Sequence, residues 1–316
     1  MKVGIDVSKL TFDASWVVDG KAIHRCFDYT VENVDSFVAL LPKEAHVVME
    51  ATGVYHSRLA LQCYEAGLST SVVNPVVIKR FGQMLFKRVK SDKADAELIR
   101  QYAEAHEPDL WVPSDKAIHD LKQALSWADD LVREGTMANN REEAVRHNAV
   151  PSKFVLGEIK DFRKYLKART KKCENYLKAT VKKHFPELYD SLQTIPSVGE
   201  KTTIEMIVVT EGFTKFESDK ALAAYVGVSP TTYSSGTSVH GRGGINRSSR
   251  GRTRQCLYVC SWTARRSNPA CAAMYERMKM AGKPPKVIGV ALAHKLLRQI
   301  FAVGMSGQDY RAECAY

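Results

Sequence analysis

The chain has 316 residues, 45% of them hydrophobic and 26% charged, the balance of a folded globular protein long enough for two or three cores. Lys and Arg outnumber Asp and Glu by 46 to 35, and the net charge of +11 favours a polyanionic partner. Seven scattered cysteines exclude a disulfide framework; Cys256 and Cys260 lack a second Cys/His pair at zinc spacing and read as core thiols.

Residues 2–28 read as three strands. Val3, Ile5 and Val7 alternate, then Phe12, Ala14, Trp16 and Val18, and Asp19-Gly20 is a turn signal before Lys21 to Phe27. Residues 31–41 read as a helix with Val34, Phe37, Val38 and Leu41 on one side. Val47 to Met49 is a short buried strand, and Thr52-Gly53 precedes a helix bearing Leu59, Leu61, Cys63 and Tyr64. Ser69 to Val73 is a further strand, stopped by Asn74-Pro75, and Lys90 to Glu97 reads as helix. Residues 1–114 are thus expected to form an α/β domain, a mixed sheet covered by helices.

Residues 115–188 are expected to form a helical hairpin or short coiled coil. Ile118, Leu121, Leu125, Ala128 and Val132 keep helical spacing up to a break at Val150-Pro151. Val155, Ile159, Phe162, Leu166, Cys173 and Tyr176 continue it, with Arg169 where an apolar residue is due. Lys164 and Lys171 belong to a lysine-rich surface of this second helix. Acids are few there, which favours a nucleic-acid or partner-facing surface over simple ion-pair decoration.

Residues 189–316 are expected to be mainly helical. Ile195-Pro196-Ser197-Val198-Gly199 has the form of a helix-hairpin-helix turn, in which Gly199, Lys201 and Thr202 would meet a backbone phosphate; a plain helix-to-helix turn is the other reading. Residues 229–253 read as a long polar loop whose Arg242, Arg247, Arg250 and Arg252 are candidate phosphate donors. From Thr253 helical spacing resumes, with Leu257, Cys260 and Ala264, then Leu292, Leu296 and Ile300. No signal peptide and no membrane-length apolar run are read, so no membrane partner and a reducing cytoplasmic setting are expected.

Four acids carry the chemistry. Asp6 and Glu50 each end an apolar strand, and Asp92 and Asp95 lie at i and i+3 on a helix, so they face the same way. Magnesium takes oxygen ligands, and two such ions clamp the attacking and leaving oxygens of an in-line phosphoryl transfer. Each acid alone is unremarkable; the order strand Asp, strand Glu, helix Asp-x-x-Asp is what points to a two-metal site.

With these residues in view, the chain resembles a family. Gly4-Ile5-Asp6-Val7-Ser8-Lys9, Met49-Glu50-Ala51-Thr52-Gly53 and Ser91-Asp92-Lys93-Ala94-Asp95-Ala96 are similar to the signatures of IS110-type transposases, the DEDD recombinases. The likeness continues through Ile195 to Thr202, through Phe216, Ala223, Tyr225, Val226 and Gly227, and through Tyr233-Ser234-Ser235-Gly236-Thr237-Ser238-Val239. The resemblance implies an N-terminal RNase H fold of the RuvC-like kind, Mg2+ held by Asp6, Glu50, Asp92 and Asp95, and a C-terminal serine that attacks DNA. The matching serine is Ser235; by its chemistry alone it is a turn residue, with Ser234 and Ser238 as neighbours. The resemblance also implies double-stranded donor and target DNA, and a structured noncoding guide RNA that reads sequence by base pairing. Joining two duplexes needs several active sites, so a dimer or tetramer is expected. A protein-guided DNA invertase and a RuvC-like Holliday-junction resolvase are the alternatives.

Overall fold

Asp19 and Gly20 both take positive φ, 49° and 76°, and the turn they make folds β2 (Thr11–Val18) onto β3 (Lys21–Asp28). The computed structural model describes residues 1–87, 91–235, 239–245 and 251–312, with the backbone alone for 230–235 and 239–244. These residues form a mixed α/β protein with a five-stranded mixed sheet, a two-stranded ribbon and, among the described residues, twelve helices. The chain divides into two units, Met1–Pro113 and Ser114–Tyr316.

In the first unit the strand order is β3-β2-β1-β4-β5, with β1 at Lys2–Val7, β4 at His46–Glu50 and β5 at Ser69–Val73. β1 runs antiparallel to β2 and parallel to β4, and β4 runs parallel to β5. This arrangement is consistent with an RNase H-like domain. Strand alternation sorts the side chains into two layers. Val3, Ile5, Val7, Phe12, Ala14, Val47 and Met49 pack with Val34 and Phe37 of α1 (Val31–Leu40) and Leu59 and Cys63 of α2 (His56–Glu65). On the other face Val48 and Val73 pack with Ile78 and Phe81 of α3 (Pro75–Met84) and Leu98 and Ile99 of α4 (Asp92–Ala105). Asn74-Pro75 therefore does more than stop a strand. Asn74 accepts from the Val76 amide at 2.9 Å and Pro75 opens α3, a helix the sequence reading lacked.

In the second unit α5 (Lys116–Arg146) and α6 (Lys153–His184) form the expected antiparallel hairpin. The buried stripe differs from expectation. It runs through Leu166, Cys173, Leu177 and Val181, while Val155, Phe162 and Tyr176 are exposed. Arg169 faces solvent because the packed line passes through the half-buried Thr170 beside it. Towards the tip of the hairpin α5 keeps Ala138 buried and Asn139, Asn140 and Arg141 exposed. At the other end Leu121, Leu125, Leu177 and Val181 share a core with Leu192 of α7 (Pro186–Gln193), Ile207 of α8 (Glu200–Thr210) and Val226 of α9 (Asp219–Val226). α10 (Gly251–Ser267), α11 (Pro269–Met280) and α12 (Pro285–Ser306) complete the unit. α12 corrects one reading: by length and composition it is apolar enough to span a membrane. Its Ile288, Leu292, Leu296, Ile300 and Val303 are buried among the other helices, as in a core helix.

Candidate active site

The parallel pairing of β1 and β4 aligns Ile5 with Met49. One step further along each strand stand Asp6 and Glu50, at the carboxyl tips and on the face that α4 covers, because side chains alternate. α4 comes this close because residue 4 is glycine: a Cβ there would lie 2.2 Å from the Arg100 amide nitrogen and 2.4 Å from the Ala96 carbonyl oxygen. Ser91 caps the helix by accepting from the Ala94 amide at 3.2 Å, and Asp92 and Asp95 occupy its first turn. The positive end of the helix offsets part of the repulsion that clustering acids create.

That clustering is visible in the acidity of Asp6. Burial pushes its carboxyl up from 3.8 to about 6, and Asp95, Asp92, Glu50 and Asp13 add to the rise in that order. The other three acids that the sequence singled out thus lie close enough to Asp6, in the same unit, to raise its carboxyl. Asp13 is a fifth acid that sequence reasoning missed. It pairs in register with Asp6 across the β1–β2 ladder, is 6% exposed, and lies 2.6 Å from Nε2 of His24. The signal was available: Asp13 sits between the core residues Phe12 and Ala14, on the face opposite to theirs.

The donor set is all hard oxygen, which fits a magnesium-like cation. Among the described residues no three His, Cys, Asp or Glu side chains close into a group able to hold an ion. Carboxylates of like charge stand apart on Coulombic grounds, and a cation would have to draw them inward.

Ser235 lies in the second unit. Within the polar loop expected over 229–253 the described residues form a ribbon, β6 (Pro230–Ser235) against β7 (Val239–Ile245), irregular between Thr231 and Tyr233, and α10 opens at Gly251; residues 236–238 and 246–250 lie outside the described residues. β-branched and aromatic residues favour strand here, Thr231, Thr232, Tyr233 and Val239 among them. Ser235 ends β6 opposite Val239, and Ser234 is opposite His240. Arg242 lies on β7, whereas Arg247 and Arg250 fall outside the described residues.

The other basic candidates divide. Arg252 is turned inward: its guanidinium pairs with Asp129, reaches the fully buried Glu205 at 2.7 Å, and donates to the Leu125 carbonyl at 3.0 Å. Thr253 completes the network by donating to Glu205 at 2.6 Å. Gly199 and Lys201 are exposed at the start of α8, with the Lys201 ammonium 2.7 Å from Glu174. Thr202 is buried, its hydroxyl 3.1 Å from Cys260 Sγ. Lys164 and Lys171 line an open groove of about 1030 Å³ between α5 and α6, which Lys160 and Lys167 also line. Burial pushes the Cys256 thiol up to about 11 and that of Cys63 to about 12, while Cys260 is half-buried and Cys26 exposed.

Comparison with known proteins places the chain in a family. A transposase model of the DEDD, IS110 kind matches residues 3–148, and one described as the IS116/IS110/IS902 transposase family matches residues 189–276. The chain is 30% identical over 318 residues to the pilin gene-inverting protein of Moraxella lacunata, covering 95% of this chain and 94% of that protein. The Moraxella bovis pilin gene-inverting protein matches over the same shares, also at 30%. An uncharacterized 43.6 kDa protein of insertion element IS110 from Streptomyces coelicolor is 31% identical over 125 residues, 38% of this chain and 30% of that protein. The chain belongs to the IS110 family of transposases and DNA invertases, proteins that act on DNA.

Proposed function

We propose that this protein breaks and rejoins DNA with Ser235 as nucleophile at a magnesium site held by Asp6, Glu50, Asp92 and Asp95. The observation that carries the proposal is the convergence of those acids on the raised carboxyl of Asp6. Bound there, two Mg2+ ions would supply Lewis-acid polarisation of the phosphate and of the attacking oxygen. Asp6 and Glu50 orient the site from rigid strand tips, and α4 supplies the other two carboxylates. Ser235 Oγ attacks phosphorus, its proton is lost to solvent, and the sugar oxygen leaves and is reprotonated. The product is a serine–DNA phosphodiester, so the bond energy is conserved and rejoining by the reverse attack needs no ATP. The guide is a structured noncoding RNA, a reading supported by the family resemblance and the net charge of +11. A homodimer or tetramer supplies the several active sites.

The test incubates the full-length protein with labelled duplex DNA, magnesium and any RNA that co-purifies. A covalent protein–DNA adduct forms with the natural sequence and vanishes in Ser235→Ala and in Asp6→Asn, while both variants still bind DNA. Cleavage that survives Ser235→Ala without an adduct would overturn the serine step and favour a hydrolytic resolvase. The pilin gene-inverting relatives, which this chain matches almost end to end, favour a second reading in which the outcome is inversion at fixed sites read by the protein. Ribonuclease treatment separates the two: it abolishes adduct formation on a guided enzyme and spares it on a protein-read invertase.

A further inference from the structure

We infer that α10, α11 and α12 form a pocket for one unpaired nucleotide of a single strand, a reading that rests on the proposed nucleic-acid chemistry. The three helices close on a small core of Ala264, Cys271, Ile288, Leu292 and Leu296. Beside that core is a cavity of about 350 Å³, room for one nucleotide and far too little for a duplex. Its floor is apolar: Ile288, Gly289 and Leu292. Its walls are Trp262 and Tyr275, and Arg265, Lys279 and Lys283 supply its charge. Among the described residues no carboxylate lines it. Its setting is basic: ten Lys or Arg and a single acid, Glu276, lie between Gly251 and Ser306, of which Arg252 and Arg298 are paired with acids of other helices.

The aromatic wall is braced, as a stacking platform needs to be. Trp262 is 41% exposed, a large apolar surface to leave in water. The Tyr258 ring meets it edge-on at 6.0 Å between centroids. Tyr258 has that position because residue 289 is glycine, where a Cβ would lie 2.7 Å from the tyrosine ring. The Arg265 guanidinium sits 4.8 Å from the Trp262 ring centroid and 5.6 Å from that of Tyr275, tying the two walls together. Lys279 Nζ lies 5.9 Å from the Tyr275 ring, and both Lys279 and Lys283 are exposed, where a phosphate could meet them. Flat apolar rings, an apolar floor and cations without a carboxylate are complementary to a base with its phosphate. A base inside a duplex offers no free face to such a wall, so the ligand is unpaired.

The test measures binding by full-length protein, freed of co-purified nucleic acid, in EDTA so that no strand is cut. The probes are fluorescein-labelled twelve-residue oligo-dT, oligo-U and a twelve-base-pair duplex, read by anisotropy, with tryptophan emission followed in parallel. Wild type binds the single strands with quenching of Trp262. Trp262→Ala weakens single-strand binding about tenfold and leaves the duplex unchanged. Trp262→Phe, which keeps a ring and the fold, retains most of the affinity and loses the quench. Lys279→Gln with Lys283→Gln flattens the salt dependence by one or two phosphate contacts. A loss confined to oligo-U assigns the pocket to RNA, and a loss confined to oligo-dT assigns it to a displaced DNA strand. Unchanged single-strand affinity in Trp262→Ala, or an equal loss on the duplex, overturns the proposal. Because nothing is cleaved, failure of the serine mechanism leaves this result untouched.

Discussion

Replacing Asp6 with Asn tests whether its carboxylate is held unfavourably in the metal-free fold. Its acidity moves from 3.8 to about 6 through burial and four neighbouring acids. A shift of about two pK units corresponds to about 3 kcal/mol as a ceiling. Asp6 is only half-buried, so solvent screening reduces this to about 1–2 kcal/mol. The sign follows from linkage. A folded pKa above the unfolded value gives stability that is present below pH 4 and lost as pH rises through about 6. Metal-free wild type should therefore be less stable at pH 7 than at pH 4.5 by about two thirds of that amount, the unfolded carboxyl being already largely ionised at pH 4.5, and Asp6→Asn should remove this part of the slope. In EDTA at pH 7 the variant should be about 1–2 kcal/mol more stable than wild type. Magnesium should reverse the order, because the ion prefers the charged site. Calorimetric unfolding of the full chain at pH 4.5, 6 and 7, with EDTA or magnesium, reads all four quantities. The reasoning fails if Asp6→Asn keeps the wild-type slope, or if it gains as much from magnesium as wild type does.

Gly4→Ala puts a Cβ against the backbone of α4 and should move the helix that carries Asp92 and Asp95. We expect a destabilisation of about 3 kcal/mol or more and near-complete loss of DNA cleavage, checked by urea unfolding and a cleavage assay; a stable, active Gly4→Ala protein would refute the close approach. Arg252→Met takes the guanidinium away from the buried Glu205 and should cost about 3–5 kcal/mol, most of it recovered by adding Glu205→Leu. If Arg252 were instead a phosphate contact, the same change would leave stability alone and lower the salt dependence of DNA binding. Asn268→Ala removes a fully buried cap that accepts from the Cys271 amide at 3.2 Å and donates to Gln299 at 2.9 Å. Its expected cost of about 2–3 kcal/mol should appear in chemical denaturation, and a change below 0.5 kcal/mol would contradict it.

Much of the first unit was legible before any coordinates. Alternation announced β1 and β2, a turn signal opened β3, and β4 and β5 read as short strands; a strand so placed carries its terminal acid to the carboxyl end of the sheet. Residues i and i+3 on a helix must share a face, so Asp92 and Asp95 could be paired on paper. These are local rules, set by bond geometry within a few residues of the side chain concerned. The readings that failed or were missing depended on partners far away in the chain. The α6 stripe runs through Leu166, Cys173, Leu177 and Val181, and periodicity in one helix cannot know what its neighbour presents. Residues 230–235 and 239–245 of the polar tract form a ribbon because pairing satisfies backbone groups that a single strand leaves open. Arg252 looked like a phosphate donor until Asp129 and Glu205, both distant in sequence, met it. Asp13 became part of the acidic cluster only through its register with Asp6. The sequence by itself determined which acids and which elements this protein has. The tertiary structure decided that α4 rests on Gly4 and so brings those acids together, because the room for a helix backbone beside a strand is a property of two surfaces and of neither segment alone.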